Sequence, residues 1–443
     1  MKIPEKWNLT LKGYKNNTRW KPTNRNRNLA PAPAPPSNDS LDNNDDDFLG
    51  VTPPTLAAPS PMDDKNKPVE WMFAFKFNAA TFPSDITSLP LNGIFGGKRK
   101  DYKGSLDYVF ATSASPTLTK GAGLLGTTTN DPLGATFGQI YNNNYFYVVW
   151  NDQFHKYPIL NRPAPWGHSK GILSWNANGD GMVLQVSTPS FPGSGSSAHP
   201  RENDGNTLGY IEDNNINVSQ HFFALKLTKD DVIDVLNALI HASVVTDLSK
   251  PSIVKNGGPQ DIQALVNMLG IKSNSTTILE PLPKLPTNRS GVRIISKPSN
   301  MHVPPWQMVS AHLNQLNLRV ASWWEHPAIN NTDAGKKPGC WAKELGVPGA
   351  VEIAKNGVWN GTSFSLEGGV SSNHNHAKIG ISTDVTRPLC IFGDLNQQGA
   401  LEGECSSSQN GRGGIFYVLE NRELFISLTS LLPKTVVVYE PKK

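Results

Sequence analysis

Two short strings in this chain hold residues that together could act on phosphorus. The first is Gly167-His168-Ser169-Lys170-Gly171 and the second is His374-Asn375-His376-Ala377-Lys378. Residues two apart on an extended strand point to the same side of a sheet. Each string therefore offers an imidazole beside a fixed positive charge. A single His-x-Lys arises readily by chance, and His168, following Trp166-Gly167, taken alone reads as a packed loop histidine. Two such pairs brought together suit a phosphodiester: one imidazole attacks phosphorus, the other protonates the leaving oxygen, and Lys170 and Lys378 hold the phosphoryl oxygens. The sequence leaves open which of His168 and His376 attacks.

These residues must be positioned by strands. Trp71, Phe73, Phe75 and Phe77 alternate with other residues, which predicts a strand with an aromatic face. Asn130-Asp131-Pro132 reads as a helix start and Tyr145 to Trp150 as a strand. Ile172 to Trp175 and Met182 to Ser187 flank a Gly- and Asn-rich hairpin loop, so His168 and Lys170 fall at the entry to a hairpin strand. Thr228-Lys-Asp-Asp231 resembles a capping box before the amphipathic stretch Val232 to Val245, and Gly258 to Gly270 offers a shorter helix. Later, Val351 to Ala354 and Ser363 to Leu366 read as strands about Asn360-Gly361. Ile379 to Ser382 follows the second His-x-Lys directly, and Ile415 to Leu419 follows the loop Asn410-Gly411-Arg412-Gly413-Gly414. Strands mixed with few helices point to an α/β layered fold. The two His-x-Lys strings lie too far apart for a solenoid repeat; they suit a duplicated domain with a pseudo-two-fold and one site at the seam.

Composition narrows the class. Of 443 residues only 18% are charged, while Gly (38) and Pro (35) are plentiful, a balance that favours turns and short strands over long helices. A net charge of +4 is too small to announce a nucleic-acid binder. Residues 1–67 form a Pro-, Asp- and Lys-rich extension without sustained apolar period, expected to be disordered. Its basic start reads first as a solvated tail and second as a contact for nucleic acid or an export signal. The expected domains beyond it are 68–247 and 291–443, each with one His-x-Lys, joined by 248–290. No secretory h-region and no apolar run of the about 18 residues needed to cross a membrane appears. Localisation is open between the cytoplasm and export by a non-classical route. The Asn-x-Ser/Thr strings read as chance. Cys340, Cys390 and Cys405 allow one bridge at most and are expected to be reduced.

Taken together, the strings resemble the deoxyribonuclease II family, a branch of the phospholipase D-like superfamily, over residues 69–432. The resemblance rests on order and spacing: Val69 to Lys76, Asn151-Asp152-Gln153, Gly167 to Gly171, Val186 to Pro192, Asn373 to Ser382, and Gly393-Asp394-Leu395-Asn396 with Arg412-Gly413-Gly414. It implies a phospholipase D-like mixed sheet sandwiched by helices, in two similar halves. It also implies a metal-independent endonuclease without cofactor, favoured by acid, that cuts DNA to leave 3′-phosphates. The catalytic residues carried over are His168, Lys170, His376 and Lys378, with Asn396 as a further donor to substrate. Three departures stand out: Ser190 where the family usually has Asn, no counterpart of the usual disulfides, and no secretion signal.

Beside these lie plainer readings. His374 and His376 alternate on a strand and suggest a zinc pair, but only Asp384 stands near as a further ligand, and Lys378 favours phosphate instead. Arg412 between glycines is either a turn with a solvated side chain or a phosphate ligand reached by flexible backbone. His374, Ser190, Arg412 and Asn396 are the expected substrate contacts. His326, in Trp323-Trp324-Glu325-His326-Pro327, is expected in core or rim packing, with exposed tryptophans able to stack on bases. DNA bound through its backbone without sequence preference is the expected partner, with an inhibitor protein as one means of restraint. The alternatives are the same chemistry on RNA or a phospholipid, and an inactive nucleic-acid-binding protein.

Overall fold

The computed structural model describes residues 56–84, 104–126, 130–142, 144–154, 165–189, 216–280 and 292–434. Ser190, most of the 1–67 extension and part of the expected connecting segment lie outside the described residues. Ordered packing begins before Val69. The amides of Ser60 and Met62 donate to side chains of a helix, α1 (Pro132–Asn142), at Gln139 Oε1 and Thr136 Oγ1, both 3.0 Å.

Strands from the first part of the chain build an eight-stranded sheet. They are β1 (Trp71–Lys76), β2 (Tyr108–Thr112), β3 (Ser115–Lys120), β4 (Phe146–Asn151), β5 (Lys170–Trp175), β6 (Gly181–Val186), β7 (Gln220–Leu227) and β8 (Val254–Lys255). Their order is β3-β2-β1-β7-β6-β5-β4-β8, with every neighbouring pair antiparallel. The second part contributes β9 (Val292–Lys297), β10 (Leu318–Ala321), β11 (Val351–Ile353), β14 (Ile379–Ser382), β15 (Leu389–Gly393) and β16 (Gly414–Glu420). These form a six-stranded sheet in the order β11-β10-β14-β15-β16-β9, parallel only between β10 and β11. The strands expected about Asn360-Gly361 are β12 (Asn356–Trp359) and β13 (Thr362–Ser365). Both turn residues have positive φ, 47° and 79°, as a two-residue type I′ hairpin requires. Val351–Ile353 is not part of that hairpin and pairs with β10 instead.

The sheets stack face to face. Phe73 of β1 and Phe223 of β7 lie on Phe392 of β15, with ring centroids 4.8 and 4.4 Å apart. Alternation along β16 shows why both faces are apolar: Ile415, Tyr417 and Leu419 enter the core shared with the first sheet, whereas Phe416 and Val418 join a second cluster with Trp306, Met308 and Val309 of helix α4 (Pro305–His312). Helix α2 (Lys229–His241) starts at the expected capping box, Thr228 with Asp231, and touches strands of both sheets, β6 and β7 in one and β9 and β16 in the other. Helices α3 (Gln260–Val266) and α5 (Arg422–Leu431) complete the set of described α-helices. No described helix is long and apolar enough to cross a membrane.

The expectation of reduced cysteines is corrected. Cys340 and Cys405 form a disulfide, leaving Cys390 buried and free. Both partners sit in loops, 65 positions apart in sequence, and only the packing of those loops brings them together.

Candidate active site

The two His-x-Lys strings meet. His168 and Lys170, at the head of β5, and His376 and Lys378, just before β14, line one cavity of about 510 Å³ together with Asn396 and Arg412. All four residues of the strings are buried or nearly so, from 1% to 9% exposed.

Backbone carbonyls set the ring tautomers. His168 Nδ1 lies 2.9 Å from the carbonyl of Asp394. A carbonyl only accepts, so in the neutral ring Nδ1 carries the proton and Nε2 keeps its lone pair. His376 is held the opposite way: Nε2 donates to the Gly369 carbonyl at 2.9 Å, and Nδ1 is buried without a partner among the described residues. The Trp323 ring packs on His376 at 4.2 Å, and its own Nε1 donates to Glu325 Oε2 at 2.9 Å, which fixes the indole at the cavity wall.

One carboxylate organises two of the cations. Asp152, 2% exposed, accepts from Lys170 Nζ at 2.7 Å and from Arg412 Nη2 at 2.8 Å. Burial alone would raise its pKa, but Lys170, His168 and Arg412 outweigh burial and hold it well below the usual carboxylate range. With Lys378, whose Nζ donates to the His376 carbonyl at 2.7 Å, three cationic side chains line the cavity, and Asp152 and the lining Glu325 balance two of them. That surplus suits a phosphate.

Desolvation governs the titrating groups. Burial first, then Lys170, push His168 well below the usual histidine range, partly offset by Asp152. Burial first, then Lys378, do the same to His376. Lys378 itself is pushed down to about 7 by burial and by Lys170. Asp394 rises to about 6 through burial, against hydrogen bonds that favour its ionised form; its carboxylate accepts from the Ile415 amide at 2.8 Å and the Gln185 amide group at 3.0 Å.

Of the other expected site residues, Arg412 reaches the cavity but is tied down, also donating to the carbonyls of Trp166 and Gly167. Asn396 lines the cavity with Nδ2 donating to Gln398 Oε1 at 2.9 Å, and its Oδ1 has no partner among the described residues. His374 is not brought to the cavity: its Nδ1 accepts from the Ser371 amide at 2.9 Å and shapes the loop before the second string. Among the described residues no three His, Cys, Asp or Glu cluster to hold a metal ion. His326 is exposed at the cavity rim. Sequence reasoning gave no role to Asp152 or Asp394, although both fall in strings that carried the family resemblance. The carbonyl of Gly369 had no signal beyond a Gly-Gly pair.

A family model described as Deoxyribonuclease II matches residues 60–437. Over 137 residues the chain is 28% identical to deoxyribonuclease-2-alpha of Sus scrofa, covering 30% of this chain and 33% of that protein. The bovine (Bos taurus) protein of the same name is 30% identical over 138 residues, with the same shares. Cell-death-related nuclease 7 of Caenorhabditis elegans is 22% identical over 349 residues, 76% of this chain and 80% of that protein. The match thus spans about a third of each mammalian relative and most of the nematode one.

Proposed function

Because the chain belongs to the deoxyribonuclease II family, we propose that it is a metal-independent endonuclease that hydrolyses DNA by histidine catalysis. One observation carries the reading: two His–Lys pairs from separate sheets converge on one cavity that holds more cations than anions. Lys170, Lys378 and Arg412 supply the positive charge that stabilises the equatorial oxygens as phosphorus becomes five-coordinate. In the first step one imidazole forms an N–P bond while the P–O5′ bond breaks, and the other imidazole gives its proton to the leaving 5′-oxygen. In the second step that ring takes a proton from water, the water oxygen bonds phosphorus, and the N–P bond breaks to leave a 3′-phosphate.

An acid preference follows from burial. The reaction needs one protonated imidazole, and both rings titrate well below the usual range, so the working state is populated on the acid side of neutrality. The two sheets are read as a duplicated, phospholipase D-like unit. In support, the run β1-β7-β6-β5-β4 in one is matched by β9-β16-β15-β14-β10 in the other, with the strings at β5 and β14. Trp323, fixed beside His376, is suited to stack on a base next to the scissile phosphate. Contacts to the DNA backbone make binding sequence-nonspecific and weaker as salt rises.

The test is plasmid DNA in excess EDTA from acid to neutral pH, with wild type, His168→Ala and His376→Ala. Cutting by the wild type alone, best in acid and leaving 3′-phosphates, is expected. Retained cutting by either variant overturns the mechanism. DNA bound but never cut points to a binding protein, and neither binding nor cutting points to RNA or phospholipid.

A further inference from the structure

The backbone of each His-x-Lys string is held by chain belonging to the opposite sheet. In the first string the His168 amide donates to the Gly413 carbonyl at 2.8 Å, and Arg412 donates to the Gly167 carbonyl at 3.1 Å. In the second, the Ser219 amide donates to the His374 carbonyl at 2.9 Å and the His376 amide returns to the Ser219 carbonyl at 2.8 Å. The Lys378 amide then donates to His221 Nδ1 at 3.1 Å. Residues 216–219 lead into β7 of the first sheet, which carries His221, and 410–413 lead into β16 of the second.

Each holding loop closes on a fully buried lysine at the end of its own sheet's first strand in sequence. Lys76 ends β1, and its Nζ donates to the carbonyls of Val218 (2.6 Å), Ser105 (3.1 Å) and Phe77 (3.4 Å). Lys297 ends β9, and its Nζ donates to Asn410 (2.8 Å), Arg412 (2.9 Å) and Pro298 (3.3 Å). Both residues are 0% exposed, and among the described residues neither pairs with a carboxylate. A buried ammonium held only by carbonyls is a costly way to gain cohesion, since a methionine of similar length fills the space without a charge to desolvate. Burial lowers both ammonium groups to about 7, in line with that cost. What the ammonium does that methionine cannot is fix three carbonyls at one point. In each loop one of those carbonyls belongs to the residue just before the one that grips the opposite string: Val218 before Ser219, and Arg412 before Gly413.

We propose that Lys76 and Lys297 are positioning residues acting crosswise, Lys76 through the Ser219 bridge on His376 and Lys297 through Gly413 on His168. The inference rests on the reading of the His–Lys pairs as the catalytic centre. Its test uses the full chain labelled in its histidines, with ring signals assigned by His168→Ala and His376→Ala. Lys76→Met moves the His376 signals and spares His168; Lys297→Met does the reverse. Each variant lowers kcat roughly 10- to 100-fold and changes KM by less than about threefold, because chemistry is misaligned while the cations that bind phosphate remain. Signals that move together, or follow chain order instead of crossing, overturn the proposal, as does an unchanged kcat. Hydrogen exchange on the wild type tests the clamps even where a variant fails to fold: the His168 and His376 amides should exchange only with global unfolding, and exchange at the rate of exposed loops overturns them. Wild-type rates in His168→Ala or His376→Ala overturn the catalytic reading by a separate route, since the crosswise shifts do not depend on turnover.

Discussion

At the scale of single residues, the site works by withholding water from charges that then depend on one another. Asp152 is the plainest case. Replacing it by Asn leaves Lys170 and Arg412 buried without their counter-charge. Asp152→Asn is therefore expected to lose about 3–5 kcal/mol of stability by denaturant titration and roughly 10- to 100-fold in kcat through misplacement of Lys170. The folded pKa of Asp152 is depressed, so its contribution is complete above the unfolded value near ~3.9 and is lost as pH falls through the folded one. The histidines carry a second prediction. Lys378 lowers the pKa of both His168 and His376. Lys378→Met should cut kcat yet move the pH optimum of the remaining activity upward, toward neutrality. A residual profile that keeps its wild-type position would mean that Lys378 does not set the proton affinity of the rings.

At the scale of elements, close approach decides which residues are allowed. A Cβ on Gly413 would lie 2.0 Å from the Ala242 carbonyl at the end of α2, and one on Gly167 would lie 2.7 Å from the same atom. Gly413→Ala must push β16's entry loop off that helix and with it the carbonyl that accepts from His168. The expected outcome is a folded protein by circular dichroism with kcat down roughly 10- to 100-fold. Thr228→Ala, which removes the cap at the other end of α2, serves as the contrast: about 1 kcal/mol less stable, with kcat unchanged. Much of this level could be read in the chain. The β5–β6 hairpin, β14, and the capping box of α2 all carry local signals, in alternation, turn residues and a cap, and the two His-x-Lys strings both line the candidate cavity. What escaped depends on partners distant in sequence. Nothing local told Val351–Ile353 to pair in parallel with β10, Cys340 to meet Cys405, or Asp152 to take both Lys170 and Arg412. His374 looked like its neighbour His376 by spacing, yet a hydrogen bond to the Ser371 amide turns it into loop structure.

At the scale of the whole molecule, buried titrating groups tie stability to pH. His168, His221 and His376 all have depressed folded pKa values, burial being the first cause for each. The unfolded chain, with histidines near ~6.5, binds more protons than the folded one below that pH, so stability is intact above it and falls as pH falls. Asp394, raised to about 6, acts in the opposite direction as pH falls through 6, with Asp231 and Asp234 also raised by burial, while His241 and His302, lowered by burial, act with the three buried rings. The midpoint of thermal unfolding is expected to drop between pH 7 and pH 5. It should drop less in His221→Asn, which keeps an acceptor for the Lys378 amide. A flat or rising midpoint would show that these rings take up protons without cost. The chain is then least stable where the proposed reaction runs best. The crossed grip on the two strings also bears on when activity can begin. The groups that hold His168, namely Asp394, Arg412 and Gly413, come late in the sequence, long after the histidine itself has been synthesised. A polypeptide still on the ribosome carries the first imidazole with nothing to aim it, so a nuclease built this way stays inactive until β16 has emerged.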